Sequence, residues 1–350
     1  MSRMAPPDAF VHDTPAQRVV FGSGALEQVG TEAERLGFSR ALVLATPGSG
    51  ARLGARVAER LGSRGAGVHA RAALHVPAGV AAAALAEARA LGADGLVAVG
   101  GGSAIGLAKA VAHETGLAIL AVPTTYSGSE ATTLFGLSEG ERKVVGRDPR
   151  VLPRTIIYDP DLTLALPPAV TAASGLNAVA HAVEALWAPE RTPATVAFAS
   201  EALRGFAAHL VPAVEANDGE ARAACLPASW LAGAALAGGT GLHHKLAHVL
   251  GGLGLPHAET HAIILPHVAR FNLEAAPEAA ARLREAFRGE DPARLLATML
   301  QRFPIPQRLR EVGLEAGKFA VAAEQVAALG ITDPRPVSAA DVEALLLAAF

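Results

Sequence analysis

Short apolar runs alternate with helical patterns in the first part of the chain and almost vanish after residue 159. The runs 41–45, 95–99 and 118–122 are each followed by a loop of small or polar residues, which is typical of strands buried on both faces. Helical patterns over 51–61, 80–91 and 104–113 separate or follow them. This alternation predicts a parallel β-sheet covered by helices.

The second part of the chain has a helical texture. Its helical patterns cover 172–187, 195–217, 221–238, 242–253 and 276–287. The turn Asp159-Pro160-Asp161 interrupts the pattern between the two parts. We therefore predict an α/β domain at 1–159 and an all-α domain at 160–350, as the length of the chain also favours two hydrophobic cores.

Charge and cysteine content exclude several classes of partner. A formal net charge of −3 gives no reason to expect nucleic acid or an anionic membrane as a partner. No apolar run reaches the length of a membrane span, and the first residues do not resemble a signal peptide. The single cysteine, Cys225, cannot form an internal disulfide and lies in an apolar helical stretch, which predicts buried packing and a reducing, cytoplasmic location.

Two loops at predicted strand ends carry the residue types of a dinucleotide site. The first contains Gly100, Gly101, Gly102 and Ser103, and the second contains Thr124, Thr125 and Ser127. Glycines allow a backbone to approach a pyrophosphate, and the free N–H groups at a helix start attract anions. The spacing is not G-x-G-x-x-G, so the first loop alone could be an ordinary tight turn. Both loops together predict a cofactor site at the carboxyl edge of the sheet.

Polar residues with helical spacing mark a second site. Asn177 and His181 are four residues apart, as are His244 and His248, and His257 follows shortly. Residues at i and i+4 share one helix face, and paired histidines at this spacing can bind a metal. A single histidine is more often a buried or surface group than a ligand, so the prediction rests on the whole cluster.

The chain resembles the iron-containing (group III) alcohol dehydrogenases over nearly its whole length. The motifs that carry the resemblance are Gly100-Gly-Gly-Ser103, Val122-Pro-Thr-Thr125, Gly128-Ser-Glu130, Tyr158-Asp-Pro-Asp161, Ser174-Gly-Leu-Asn-Ala-Val-Ala-His181, His244-Lys-Leu-Ala-His248 and Pro256-His257. The resemblance implies an N-terminal dinucleotide-binding domain and an all-helical C-terminal domain, the fold shared with dehydroquinate synthase. It also implies a homodimer.

The resemblance further implies a set of metal-ligand positions, and the sequence departs from it there. The four positions fall on Asn177, His181, His244 and His257, and Asn177 replaces the family's aspartate. Gly106 replaces an acidic residue after the glycine loop, and the following threonine-rich loop is shortened. These departures are similar to those of the maleylacetate reductases, a subgroup of the family. We therefore expect a vestigial site without metal. A metal-dependent alcohol dehydrogenase and an inactive nucleotide-binding protein stay as alternatives.

The subgroup implies NADH- or NADPH-dependent reduction of the C=C bond of maleylacetate, a small dicarboxylate, to 3-oxoadipate, a step in the degradation of aromatic and chloroaromatic compounds. The expected catalytic residues are His181, His243, His244, Lys245, His248 and His257. The expected substrate-binding residues are Asn177, Tyr126, Lys143 and Arg147, with Arg150 ranked below them. Thr46 and Lys143 complete the cofactor set, and the absence of a carboxylate after the strand 41–45 favours use of both NADH and NADPH.

Overall fold

The computed structural model describes residues 10–139 and 142–350, with the backbone alone for residues 139 and 142–144. It divides into two compact units, Thr14–Leu166 and Pro167–Phe350, and residues 10–13 belong to the second. The boundary predicted at residue 159 is thus too early. Asp159 accepts hydrogen bonds from the backbone N–H groups of Gly24 (3.1 Å) and Leu26 (3.0 Å), which ties the Asp-Pro turn to the α/β unit.

The strands of the α/β unit are β1 (Arg18–Phe21), β2 (Ala41–Ala45), β3 (Gly65–His69), β4 (Gly95–Gly100), β5 (Ala118–Pro123), β6 (Leu134–Glu139), β7 (Arg142–Arg147) and β8 (Thr155–Tyr158). Within the described residues, six of them form a parallel sheet of order β1-β8-β5-β4-β2-β3, and β6 and β7 form a separate hairpin. The helices of this unit are α1 (Val29–Arg35), α2 (Ser49–Leu61), α3 (Ala78–Ala90) and α4 (Gly102–Thr115).

Two apolar layers cover the sheet, one on each face. Leu42, Leu44 and Leu96 pack with residues of α3 and α4, whereas Val43 and Val97 pack with residues of α1 and α2. The opposite facing of neighbouring residues follows from the period of two in a strand. The wholly buried strands β2, β4 and β5 explain why apolar runs, rather than alternating patterns, marked them in the sequence.

The second unit is helical throughout its described secondary structure. Its helices are α5 (Pro168–Ala185), α6 (Pro193–Glu215), α7 (Gly219–Ala235), α8 (Leu242–Gly252), α9 (His257–Leu273), α10 (Pro277–Phe287), α11 (Pro292–Gln301), α12 (Phe319–Ala327) and α13 (Ala339–Ala349). The predicted α/β and all-α architecture is confirmed. None of the helices in the described part of the chain is long and apolar enough to span a membrane.

Local sequence explains where the helices of the functional region begin. Pro168 occupies the first turn of α5, where a missing N–H does no harm, and Thr192 forms a capping box at the start of α6. Helix α8 begins after Gly241 without a cap from a neighbouring side chain. Leucines of α8 then pack with α9, α12 and α13 in one apolar cluster, which fixes the helix that carries four of the expected polar residues.

Candidate active site

The sheet brings the predicted cofactor residues to one edge. Thr46 follows β2, the glycine loop joins β4 to α4, and Thr124 follows β5. Strands β2, β4 and β5 are parallel neighbours, so their carboxyl ends lie side by side. The chain winds outward from β2 to β3 and then returns on the other side with β4. Ligands of open α/β sheets bind at such a reversal.

The two loops touch each other, and glycine is required at their contact. A Cβ atom on Gly101 would lie 2.8 Å from Cγ2 of Thr125. The backbone N–H of Thr124 donates to the carbonyl of Gly100 (3.1 Å), and Gly100 has a φ of 139°. A Cβ on Gly50, in the first turn of α2, would lie 2.2 Å from Oγ1 of Thr46. The edge is therefore a cradle of close backbones and half-buried hydroxyls, suited to a pyrophosphate.

Gly106 accommodates a neighbouring turn. A Cβ at this position would lie 2.9 Å from Cγ2 of Val76. Val76 and His75 both adopt positive φ angles (48° and 59°), and their carbonyls accept hydrogen bonds from the backbone and side chain of Ser138. The departure from the acidic residue of the family thus has a packing reason, because a longer side chain at 106 would collide with Val76.

A buried lysine ties α4 to the segment that follows the second cofactor loop. Lys109 lies on α4, and its Nζ donates to the carbonyls of Ser129 (2.6 Å), Thr132 (2.8 Å) and Leu134 (2.7 Å) and to Oγ1 of Thr132 (2.8 Å). Burial lowers the pKa of Lys109 to about 7, against the opposing charge of Glu130. No pattern in the sequence had indicated a role for Lys109.

Glu130 completes this buried polar group. Burial raises the pKa of its carboxyl, which is opposed by a hydrogen bond from the hydroxyl of Tyr158 (2.6 Å) and by Lys109. The side chain of Gln17 donates to the backbone carbonyl of Glu130 (3.0 Å). The end of the second loop is therefore fixed from α4, β8 and the segment before β1.

The remaining expected residues of this unit have different surroundings. Tyr126 is completely buried. Arg147 is exposed at the end of β7, and the side chain of Lys143 lies outside the described residues. Arg150 forms an ion pair with Asp148 (2.7 Å) at the surface, and that pair holds the pKa of the Asp148 carboxyl well below its usual range.

The helical unit gathers the predicted histidines from three helices. Asn177 and His181 lie on α5, His243, His244, Lys245 and His248 on α8, and His257 at the start of α9. The rings of His181 and His244 stack with centroids 5.0 Å apart, and those of His248 and His257 stack at 6.2 Å. Lys245, His248 and His257 are half-buried, whereas the others are buried. The cluster that the spacing predicted is thus assembled.

Glu184 anchors this cluster, although sequence analysis did not include it. The fully buried carboxylate accepts the backbone N–H of His243 (2.7 Å) and a hydrogen bond from Nδ1 of His244. Burial alone would raise the pKa of Glu184, but His244 and His243 lower it overall. The bond puts a proton on Nδ1 of His244 and leaves Nε2 buried without a hydrogen-bond partner among the described residues.

His261 occupies the centre of the imidazole cluster. Its ring centroid lies 4.4 Å from that of His257, 4.9 Å from His243, 5.0 Å from His244 and 6.4 Å from His181. Its Nδ1 lies 2.9 Å from Nε2 of His243. Burial lowers the pKa of His243 to about 3 and that of His261 as well. The two therefore form a neutral, hydrogen-bonded pair near pH 7 and can act only as uncharged groups.

Some of the residues in this cluster that were not predicted as site residues are nevertheless marked by a pattern in the sequence. Asn177, His181 and Glu184 form a polar stripe at i, i+4 and i+7 on an otherwise apolar helix. His261 follows His257 by four residues, but Pro266 interrupts the helical pattern of α9 and concealed that both histidines share a helix. Asp333, which hydrogen-bonds to the start of α8, lies in a loop and had no local signal.

Two family profiles match the chain. The profile of the iron-containing alcohol dehydrogenases matches residues 16–160, and that of the C-terminal part of the Fe-containing alcohol dehydrogenase family matches residues 171–350. The chain belongs to the iron-containing alcohol dehydrogenase family. The match divides at nearly the same place as the two structural units.

Several relatives in the iron-containing alcohol dehydrogenase family are similar over their whole length. The chain is 45% identical to a maleylacetate reductase of Burkholderia cepacia, over 98% of both chains. It is 48% identical to maleylacetate reductase 2 of Cupriavidus pinatubonensis, over 95% of this chain and 94% of that one. The crystal structure of maleylacetate reductase from a Rhizobium species superimposes with a TM-score of 0.91 at 42% identity, covering 98% and 99% of the two chains. The protein is thus an oxidoreductase by its family.

The family name raises the question of a metal, and one of the four ligand positions carries a weaker donor. Asn177 offers a neutral amide where the family has a carboxylate, and its Nδ2 lies 3.4 Å from Nε2 of His181. Among the described residues, no group of three or more His, Cys, Asp or Glu side chains is arranged to hold a metal ion.

Proposed function

We propose that this protein is an NAD(P)H-dependent maleylacetate reductase, which reduces the C=C bond of maleylacetate to 3-oxoadipate. The observation that carries the proposal is the imidazole cluster of the helical unit, in which the neutral Asn177 stands beside His181 and Glu184 holds His244. The 42–48% identity to proteins named maleylacetate reductase, over nearly the whole chain, supports it.

The reduction requires a partner for negative charge on oxygen. When bound, NAD(P)H would supply the hydride for this reaction. Addition of a hydride to the alkene carbon β to the ketone would give an enolate, and protonation at the α-carbon would complete the reduction. The enolate oxygen needs hydrogen-bond donors or positive charge held in place before the reaction. We assign this role to His244 and Lys245, which are adjacent on α8.

The surrounding residues hold these two groups and take up the carboxylates. Glu184 fixes the ring of His244 through Nδ1 and leaves Nε2 as the atom available to the substrate. In this role His244 acts as the imidazolium, whose Nε2–H donates to the enolate oxygen while Nδ1–H donates to Glu184. The neutral pair of His243 and His261 packs behind it. Within the helical unit, we propose that the substrate, a small dicarboxylate, also contacts Asn177, His181, His248 and His257. The resemblance to the family further assigns substrate contacts to Tyr126, Lys143 and Arg147.

The cofactor is assigned to the cradle of the α/β unit. Gly100, Gly101, Gly102, Ser103, Thr46, Thr124, Thr125 and Ser127 would hold its phosphates and riboses, with Lys143 as a further contact. No carboxylate follows β2, where one would repel the 2′-phosphate of NADPH. We therefore propose that both NADH and NADPH are accepted. We also propose a cytoplasmic homodimer that acts on a small molecule without nucleic acid or membrane as partner.

We further propose that the reaction needs no bound metal. A hard divalent cation prefers anionic oxygen ligands, and the amide of Asn177 is a weak substitute. A metal-dependent alcohol dehydrogenase is the second candidate, since three imidazoles can hold zinc in some enzymes. The two candidates differ in the site of hydride transfer, which is an alkene carbon in one and a carbonyl carbon in the other.

The test is NAD(P)H oxidation with maleylacetate, on enzyme treated with a chelator and then freed of it. We expect full activity and well under one equivalent of iron or zinc by elemental analysis. A simple ketone, such as hydroxyacetone, serves as the control substrate. Activity with the ketone that is lost on chelation and returns with metal would support the alcohol dehydrogenase instead. No activity with either substrate would support an inactive nucleotide-binding protein.

A further inference from the structure

The first backbone N–H groups of α8 obtain their hydrogen bonds from distant carboxylates. Every α-helix begins with N–H groups that have no partner within the helix, and Gly241 has no side chain to cap them. The N–H of Leu242 donates to Oδ1 of Asp333 (3.0 Å), and the N–H of His243 donates to Oε1 of Glu184 (2.7 Å). The orientation of α8 at its start is therefore set by residues far away in sequence.

Asp333 also reaches a second helix. Its Oδ2 accepts a hydrogen bond from Nδ2 of Asn272 (2.7 Å), a completely buried residue in the last turn of α9. One carboxylate thus connects the start of α8 with the end of α9. Helix α8 carries His244 and Lys245, and helix α9 carries His257 and His261.

Gly241 is what allows this close approach. A Cβ atom on Gly241 would lie 2.0 Å from Oδ1 of Asp333 and 3.2 Å from Oε1 of Glu184. A separation of 2.0 Å is far below van der Waals contact, so any other residue at 241 would displace the carboxylate. The glycine and the two carboxylates form one arrangement, here called the α8 clamp: Gly241, Asp333 and Glu184.

We propose that Asp333 is a positioning residue of the reduction, which acts through the α8 clamp on His244 and Lys245. The inference rests on the proposed function for its effect on catalysis. A group that stabilises developing charge must be held close to the productive geometry, because a displacement of about 1 Å can reduce the rate by about a hundredfold. Asp333 itself does not touch the reacting atoms and is not a catalytic residue.

The arrangement requires hydrogen-bond acceptors rather than a second negative charge. Burial and the neighbouring Glu184 raise the pKa of Asp333 to about 6, so its charge is unfavourable there. An asparagine could keep the clamp, since its oxygen would accept from Leu242. Oδ1 of Asn272 is buried without a hydrogen-bond partner among the described residues. If the side-chain amide of Asn272 rotates by half a turn, this oxygen can accept a hydrogen bond from the new amide N–H at position 333. Asp333→Asn therefore tests geometry, whereas Asp333→Ala removes the clamp.

The control for the loss of a helix cap is Asp218, the N-terminal capping residue of α7. Its Oδ1 accepts the backbone N–H of Ala221 (2.8 Å), and α7 carries none of the proposed catalytic groups. Loss of the Asp218 cap is expected to destabilise the protein by about 1 kcal/mol. Loss of Asp333 is expected to cost about 1–3 kcal/mol more, because it also leaves the buried Nδ2 of Asn272 without an acceptor. Asp218→Ala thus reproduces the loss of a helix cap without disturbing α8.

The experiment compares steady-state kinetics of the three variants with maleylacetate. We expect Asp333→Ala to lower kcat by at least about tenfold with the KM for NADH unchanged, because the cofactor residues lie in the α/β unit. We expect Asp333→Asn to stay within about threefold of the unmodified enzyme, and Asp218→Ala to keep kcat. An unchanged kcat in Asp333→Ala, an equal loss in Asp218→Ala, or an Asn variant as impaired as the Ala variant would overturn the proposal.

Amide hydrogen exchange provides a readout that does not depend on activity. The amides of Leu242 and His243 should exchange at least about tenfold faster in Asp333→Ala, and at the normal rate in Asp218→Ala. Normal exchange in Asp333→Ala would contradict the clamp itself. If the unmodified enzyme did not reduce maleylacetate, the proposed function alone would fail, since exchange still tests the clamp.

Discussion

Replacing Lys109 by methionine removes the buried link between α4 and the segment that follows the second cofactor loop. The ammonium group donates to three backbone carbonyls and one hydroxyl at 2.6–2.8 Å. Methionine has a similar unbranched shape but no donor. The hydroxyl of Thr132 would still donate to the carbonyl of Ser129 (3.2 Å), whereas the carbonyls of Thr132 and Leu134 would each lose this bond. Glu130 would lose the positive charge beside it.

The expected loss of stability follows from these contacts. A buried polar group left without its partner costs about 1–3 kcal/mol, and the substitution leaves the carbonyls of Thr132 and Leu134 without this donor. Burial also lowers the pKa of Lys109 to about 7, so its removal recovers part of the free energy spent on desolvating it. We therefore expect Lys109→Met to reduce the free energy of unfolding by about 3 kcal/mol, which is towards the lower end of the roughly 2–6 kcal/mol for two such carbonyls.

The functional assay is a fluorescence titration with NADH, alongside urea unfolding. We expect the Kd for NADH to rise by at least about tenfold, because the second loop is no longer held against α4. Leu107→Ala is the control, since this completely buried residue of the same helix should cost a similar 2–5 kcal/mol, roughly, without removing a donor to the loop. Normal NADH binding by Lys109→Met, or equally weak binding by Leu107→Ala, would refute the reasoning.

Four further outcomes are expected. NADPH should support turnover with less than about a thousandfold disadvantage against NADH, about 4 kcal/mol, and kinetics with both cofactors check this. Asn177→Asp should raise the affinity for zinc or iron, measured by metal titration, because it restores an anionic ligand; unchanged affinity would contradict this. His244→Ala and Lys245→Ala should each lower kcat by about a hundredfold or more, whereas Arg147→Ala should chiefly raise KM; a normal kcat in both of the first two would place the charge stabilisation elsewhere. The unmodified enzyme should lose stability relative to Asp333→Asn as pH rises from about 4 to 7, by up to about 3 kcal/mol in urea unfolding. The reason is that folding raises the pKa of the Asp333 carboxyl to about 6, so its stabilising contribution is lost as pH rises through that value, whereas asparagine does not titrate.

The sequence predicted the parts of the fold that depend on local pattern. Strand β2 was predicted at its observed bounds, and β4 and β5 within one residue, because each is an apolar run ended by a loop. The edge strands β1 and β3 were missed, since their exposed or glycine-containing sequences do not form such runs. Cys225 was predicted to be buried and is completely so, and burial raises the pKa of its thiol to about 12.

The sequence indicated which polar residues of the helical unit lie close together, but not the hydrogen bonds that hold them. Spacing and resemblance brought Asn177, His181, His244 and His257 together, because they lie at regular intervals on helices. The residues that hold them in place were not found. Asp333 follows Leu242 by 91 residues, and no local pattern links a loop carboxylate to the N-terminus of a helix so far away. The neutral state of His243 likewise depends on complete burial, which spacing alone does not give.

The position of hydride transfer tests the account most directly. Maleylacetate would be converted with NADH carrying deuterium at the transferred position, and the product examined by NMR. We predict 3-oxoadipate with an intact ketone and one deuterium on the former alkene carbon β to that ketone. A hydroxy acid with deuterium on the former carbonyl carbon would contradict conjugate reduction and support a metal-dependent alcohol dehydrogenase.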